Sequence, residues 1–276
     1  MMQKKRQVLC RRISGLVLSG LIFMAEFPFS GYCAGSGEEI VKKVAQTYKG
    51  IHTYQDETLV NLYLTGEGIE NKTSWRFRVV LERPNKLAIT LKSGCQEAGG
   101  ADIISDGKNV YTYIPVLNKY TVQNTPENFA NFLKDYVVNI DFIPILTLFC
   151  DDPYAELMEN VEEIKVIGEE SLSGIKTVHL LFIQTDGNID LWVDNENYLI
   201  QKVRLDISQM MKAQGELSSD EMTMVGEVVS ENIRLDKRIP KEVFVFTPPK
   251  GAEKEEGSGY QDDIPILEGG GSCNRI

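Results

Sequence analysis

Histidine is nearly missing from this 276-residue chain. Only His52 and His179 occur, and neither belongs to an HxxxH or HxH pair, so a histidine-built metal centre is excluded. The chain also lacks GxSxG, P-loop and GxGxxG sequences, which removes the common nucleophile elbow and the nucleotide cradles. Positive charge is in short supply: 29 Lys and Arg stand against 40 Asp and Glu, a net charge of −11. Such a body repels phosphate backbones, and nucleic-acid binding is not expected. No apolar run approaches the ~20 residues needed to span a bilayer. With so many carboxylates, some pairs must lie close in space, so acidic pairs carry no glycosidase signal. Asp186, Asn188 and Asp190 have part of a calcium-loop spacing but lack its central Gly and closing Glu, and read as a hairpin turn entering a strand. No catalytic group, metal or cofactor is expected.

Cysteine is sparse too. Of five, Cys10 and Cys33 fall in the first segment, leaving Cys95, Cys150 and Cys273 with no CxxC among them. A Cys95–Cys150 disulfide and isolated thiols are both compatible with an oxidising compartment.

The first segment contains Lys4, Lys5, Arg6, Arg11 and Arg12 ahead of the apolar run Ile13 to Ala25, the pattern of a secretory signal. Cys33-Ala34-Gly35 and Ala34-Gly35-Ser36 fit a cleavage site better than Tyr32-Cys33-Ala34. Cys33 would suit lipidation, but Tyr32 stands where a lipobox has a small residue. The expectation is an exported, periplasmic protein with residues 1–35 as signal.

What the chain has in abundance is amphipathic pattern. Residues 38–49 put Ile40, Val41, Val44 and Tyr48 on one helical face. In KTSWRFRVVLER, residues 72–83, Trp75, Phe77, Val79 and Leu81 alternate with polar residues, as do Leu87, Ile89 and Leu91, and Val60, Leu62 and Leu64. Short turns join these runs, among them Asp106-Gly107, so the sheet is read as an antiparallel meander. At Pro126 the period changes: Phe129, Phe132, Leu133, Tyr136 and Val137 follow helical spacing after Thr125. Pro144 interrupts the apolar run 141–150, and a short helix is expected over 153–160. Strands are then predicted at 161–169, 175–184, 188–194, 198–207, 221–235 and 243–247, with 208–222 as a long, mobile connection and a poorly ordered tail over the last ~25 residues. The class is α+β, mainly β, with helices gathered on one side of one antiparallel sheet.

Three segments together resemble a known family. ERPNKLAI at 82–89, SDGKNVYTYIP at 105–115 and FVFTPPKGA at 244–252, in that order, are similar to signatures of the LolA-type periplasmic lipoprotein carriers, whose wider superfamily includes LolB and the regulator RseB. KGIHTYQDE, after the first helix, also fits, and the resemblance covers most of residues 38–252. It implies a strongly curved antiparallel sheet, an incomplete barrel, closed by a few helices as a lid. The domain plan is then residues 36–252 as the half-barrel and 253–276 as a tail. It implies non-enzymatic binding and carriage of a lipid or lipoprotein acyl group in the bacterial cell envelope. The alternative is an RseB-like sensor that binds a membrane-anchored protein. Expected partners are an acylated lipoprotein or other lipid and inner- or outer-membrane proteins, with the chain itself a monomer.

The lining assigned to such a cavity is Val60, Leu62, Leu64, Trp75, Phe77, Val79, Leu87, Ile89 and Leu91 from the sheet, with Phe129, Phe132, Leu133 and Tyr136 from the lid. A closed core would give the same pattern. Arg83 of the Arg-Pro pair is assigned by the resemblance to hold the lid, its several donors suiting helix-end carbonyls. A surface arginine at a strand end is the other reading.

Overall fold

The computed structural model describes residues 36–94, 101–126, 144–185, 187–215, 217, 219 and 221–255. The chain divides into two units, Met1–Ala34 and Gly35–Ile276, and the first lies outside the described residues.

Helix α1, Gly37–Gly50, begins at a capping box: the Ser36 hydroxyl accepts from Glu39 N–H while the Glu39 carboxylate accepts from Ser36 N–H. Its buried face is Ile40, Val41, Val44, Ala45 and Tyr48, one stripe at helical spacing.

Six strands follow as a meander: β1, Thr53–Gly66; β2, Ile69–Glu82; β3, Lys86–Gly94; β4, Asp102–Asp106; β5, Asn109–Ile114; and β6, Lys119–Asn124. The Asp106-Gly107 turn forms because Asp106 Oδ1 accepts from the N–H groups of Lys108 and Asn109, and Gly107 takes φ +91°, where a side chain would be strained. After a 3₁₀ helix, Pro144–Phe149, and a short helix α2, Pro153–Leu157, a second meander runs through β7, Val161–Leu172; β8, Ile175–Gln184; β9, Ile189–Asp194; β10, Ile200–Asp206; and β11, Thr223–Leu235. Helix α3, Ser208–Ala213, lies between β10 and β11.

The two meanders join where β1 pairs with β11, giving one twelve-stranded sheet in the order β12-β6-β5-β4-β3-β2-β1-β11-β10-β9-β8-β7. It is curved, its edges stay apart and it does not close into a barrel. All pairings are antiparallel except the last, where β12, Glu253–Lys254, runs parallel to Lys119 and Tyr120 of β6. The main core lies on the inner face, where α1, the 3₁₀ helix and α2 cover alternate residues of the strands.

Three local expectations differ from what is observed. Residues 243–247 form no strand: Lys241–Phe244 is a 3₁₀ turn at the start of a strap across the outer face, because Pro240 and Pro248-Pro249 cannot supply ladder N–H groups. The 208–222 connection is anchored, with α3 and Met211, Leu217 and Met222 buried as a small apolar plug. The tail expected from residue 253 begins as paired β12; residues 256–276 lie outside the described residues.

The strap explains the FVFTPPKGA signature. Ile239 and Phe244 pack on Val80 of β2 and Ala88 of β3. Further along, Phe246 stacks on Tyr111 at 5.1 Å and leans on Tyr120 at 5.3 Å. Tyr111 therefore faces outward while Val110 belongs to the inner core, with Ile114 buried on the same side of the strand. Each aromatic pair contributes roughly 0.5–1.5 kcal/mol beyond its buried area. β12 then covers the β6 edge, which would otherwise present unpaired backbone.

Candidate functional site

The nine sheet residues assigned to a lining share the inner face of β1, β2 and β3. Val60, Leu62, Trp75, Val79, Leu87 and Ile89 are buried members of the main core, and Leu64, Phe77 and Leu91 are half-buried against it. Phe129, Phe132, Leu133 and Tyr136 lie outside the described residues.

Arg83 sits at the end of β2, before a cis peptide bond to Pro84. Its Nε donates to Ile51 O at 2.9 Å, one terminal nitrogen donates to Phe149 O at 2.9 Å, and the other to Tyr48 O at 3.4 Å. One guanidinium thus ties the C-terminal end of α1 to the last residue of the 3₁₀ helix, giving donors to the Ile51 and Phe149 carbonyls and a second donor to Tyr48 O, which also accepts from Ile51 N–H. The guanidinium lies 5.6 Å from the Phe149 ring centre. Phe149 is itself held edge-on by Tyr48 and Tyr54, at 5.6 and 5.3 Å. Tyr48 Oη in turn accepts from the backbone N–H of Ile200. The helical roof is therefore pinned to both meanders through one aromatic cluster.

Beside it is a buried carboxylate that pattern reading missed. Asp56 accepts from Tyr54 Oη at 2.8 Å and Thr58 Oγ1 at 2.9 Å, and from the Ser230 hydroxyl. Burial raises its pKa to about 6, against the lowering effect of these three donors. The only sequence signal was a break in alternation, since Asp56 occupies an inner-face position between Tyr54 and Thr58.

The open space lies elsewhere. A pocket of about 250 Å³ is bounded above by Ile145, Thr147 and Leu148 of the 3₁₀ helix, by Glu156 and Leu157 of α2, and by Glu159 and Asn160 of the next turn. Its floor is the inner face of β8, β9 and β10: Phe182, Ile189, Leu191, Ile200, Val203 and Leu205, with Gln184 at the side. None of the nine assigned sheet residues, nor Arg83, is among this lining. The alternation that builds the floor was readable in TVHLLFIQ and the following strands. What was not readable is that the helical roof, tied to both meanders, leaves a space over β8–β10.

On the outer face of the second meander, His179 is held between Glu170 (Nδ1 to Oε1, 3.0 Å) and Asp190 (Nε2 to Oδ1, 2.7 Å) and stacks on Trp192 at 4.2 Å. Trp192 Nε1 donates to Glu170, which is the main cause holding that carboxyl below its usual range. Lys202 lies over the other side of the indole and pairs with Glu227 at 2.7 Å. Every polar atom of this ladder is directed at a neighbour, and no nucleophile adjoins the histidine. Cys150 is a free, half-buried thiol, while Cys95 lies outside the described residues. Among the described residues no group of three or more His, Cys, Asp or Glu is placed to hold a metal.

Residues 38–256 match the family described as "Predicted periplasmic protein (DUF2092)". The chain belongs to that family. DUF2092 proteins are thereby assigned to the periplasm, and among the described residues no helix is long and apolar enough to cross a membrane. A curated relative of this DUF2092 chain is an uncharacterized protein of Methanocaldococcus jannaschii, 21% identical over 244 residues; the match covers 86% of this chain and spans only 59% of the relative's length. Among solved structures, a LolA superfamily protein from Nitrosomonas europaea is similar over 77% of this chain and 99% of its own, at 12% identity and a TM-score of 0.34. The Mycobacterium tuberculosis lipoprotein LppX is similar over 74% of this chain and 97% of its own, at 9% identity and a TM-score of 0.39.

Proposed function

We propose that this protein binds and carries one acyl chain of a lipid or lipoprotein in the cell envelope, without catalysis. The observation that supports this most directly is the apolar-floored pocket of about 250 Å³ between the helical roof and β8–β10. Withdrawing a hydrocarbon chain from a bilayer costs about 0.8 kcal/mol per methylene. A carrier must offset much of this and still release its load, so a partly open apolar surface under movable helices suits the task better than a sealed cavity. A longer chain would extend along the inner face toward Leu64, Phe77 and Leu91, the half-buried members of the assigned lining. Arg83 is proposed to set how readily the roof shifts, since it bonds α1 and the 3₁₀ helix together.

The absence of turnover is part of the proposal. The two carboxylate clusters, around Asp56 and His179, have their bonding capacity directed at neighbouring side chains and do not face the pocket.

Native mass spectrometry on protein purified from its own envelope tests this reading. Co-purified acylated species are the expected result. A stoichiometric membrane-anchored protein with no lipid would favour the sensor alternative, and turnover abolished by one carboxylate substitution would overturn the non-enzymatic reading.

A further inference from the structure

We infer that the pocket selects its cargo by the charge of the head group: it accepts a single hydrocarbon chain whose head is amine-bearing or uncharged, and rejects anionic heads. This rests on the acyl-binding reading and refines it. The floor is aliphatic and aromatic, and the polarity is confined to the roof side and rim, where Glu156, Glu159, Asn160, Thr147 and Gln184 stand. Two of those five carry negative charge, and among the described residues that line the pocket there is no Lys, Arg or His. Neither Glu156 nor Glu159 has a salt bridge among the described residues. Glu156 projects from α2, whose N-terminal turn is already capped by Asp152 through Ala155 N–H, so its carboxylate is not spent on the helix end. Gln184 Nε2 donates to Glu159 O at 3.0 Å and fixes the turn that carries the second carboxylate against β8.

A chain lying on Phe182, Leu191 and Val203 must bring its head out past these carboxylates. A phosphate or sulfate there meets like charge from half-buried Glu156 and exposed Glu159, a repulsion that is strongest at low ionic strength. An ammonium meets attraction, and an uncharged ester or amide head meets Asn160 as a hydrogen-bond partner. The pocket volume lies just below the roughly 300–1,000 Å³ range of sites for drug-sized ligands, which favours one chain over two.

The test is displacement of a neutral hydrophobic fluorophore from the full chain by three twelve-carbon amphiphiles, each below its micellar concentration: dodecyltrimethylammonium, dodecyl maltoside and dodecyl sulfate. At low ionic strength the trimethylammonium chain should displace the fluorophore at roughly tenfold lower concentration than the sulfate, with the maltoside between them. The E156Q/E159Q double variant should bring the two charged chains to within about twofold of each other, while E242Q/E253Q, with the same change of net charge on the strap, should leave the gap intact. Sulfate binding as tight as trimethylammonium, or a gap reduced equally by both double variants, overturns the head-group inference while leaving acyl binding in place. Failure of all three chains to displace the fluorophore overturns the pocket reading, and this inference with it.

Discussion

The two meanders of the sheet are built from the same alternating pattern yet are finished differently. The first, β1–β6, packs helices and aromatics on its inner side, where Leu64, Phe77 and Leu91 stay half-buried; the strap from Ile239 to Phe246 lies along its outer side over a space of about 450 Å³ beside Glu82 and Lys86, with β12 closing the edge. The second, β7–β11, has a pocket on its inner side and an ionic ladder on its outer side. A strap of aromatic and apolar side chains braces the first meander from outside, whereas charged side chains cross-link the second and its apolar space lies inside. The roof is pinned where the two meet, at Arg83, Phe149 and Tyr48.

The largest test of this contrast is Phe244→Ala. It removes a fully buried ring from the strap and should cost about 3–4 kcal/mol of unfolding free energy, read by denaturant titration, while fluorophore binding at the pocket stays unchanged. Loss of binding at unchanged stability would show that the first meander takes part in ligand capture.

Asp56, at the seam of the meanders, gives a pH-dependent test. Its pKa is raised to about 6 in the folded chain from an ordinary 3.8, so folding favours the protonated form. The stabilisation is complete below about pH 4 and is lost as pH rises through about 6, a change of about 3 kcal/mol. Relative to Asp56→Asn, the wild type should lose most of that amount, about 2.5 kcal/mol, between pH 4 and pH 7. A constant difference across that window would mean the carboxylate is hydrated.

Arg83→Leu comes next. Removing the guanidinium takes the side-chain donor from the Ile51 and Phe149 carbonyls, while Tyr48 O keeps the Ile51 N–H, and should cost about 2 kcal/mol, with increased binding of a hydrophobic fluorophore as the roof loosens. Unchanged binding with an unchanged fold would reduce Arg83 to a strand-end residue.

The smallest stability effect is expected from Leu205→Trp, which fills the pocket from β10. Unfolding free energy should change by less than about 1 kcal/mol because the ring enters existing space, while fluorophore binding is abolished. Binding that survives this filling would place the ligand elsewhere.

Much of the architecture was legible because period-2 and period-3.6 patterns report which face of an element is apolar. Trp75, Phe77 and Val79 all lie on the inner face that their alternation implied. The Asp106-Gly107 turn was equally local, since an aspartate oxygen and a glycine φ decide it. Arg83 was singled out through family likeness, and its bonds to helix-end carbonyls are visible only once α1 and the 3₁₀ helix are in place. The strap was misread because Val243 and Val245 have strand composition, whereas backbone pairing there is limited by the flanking prolines. The pocket's location was illegible for a different reason: inner-face residues of β1–β3 and β8–β10 share one pattern, and where the roof leaves space depends on long-range packing. Asp56 shows the same limit from the polar side, because its partner Ser230 lies on β11, far along the chain.

The seam between β1 and β11 has a kinetic corollary. The first strand to leave the ribosome waits for a neighbour encoded near the other end of the sheet, so one edge of an apolar ribbon stays naked through most of synthesis. Such late closure slows folding and exposes the nascent polypeptide to aggregation, but it also keeps the chain threadable, the condition needed to pass through a translocation channel before the sheet locks.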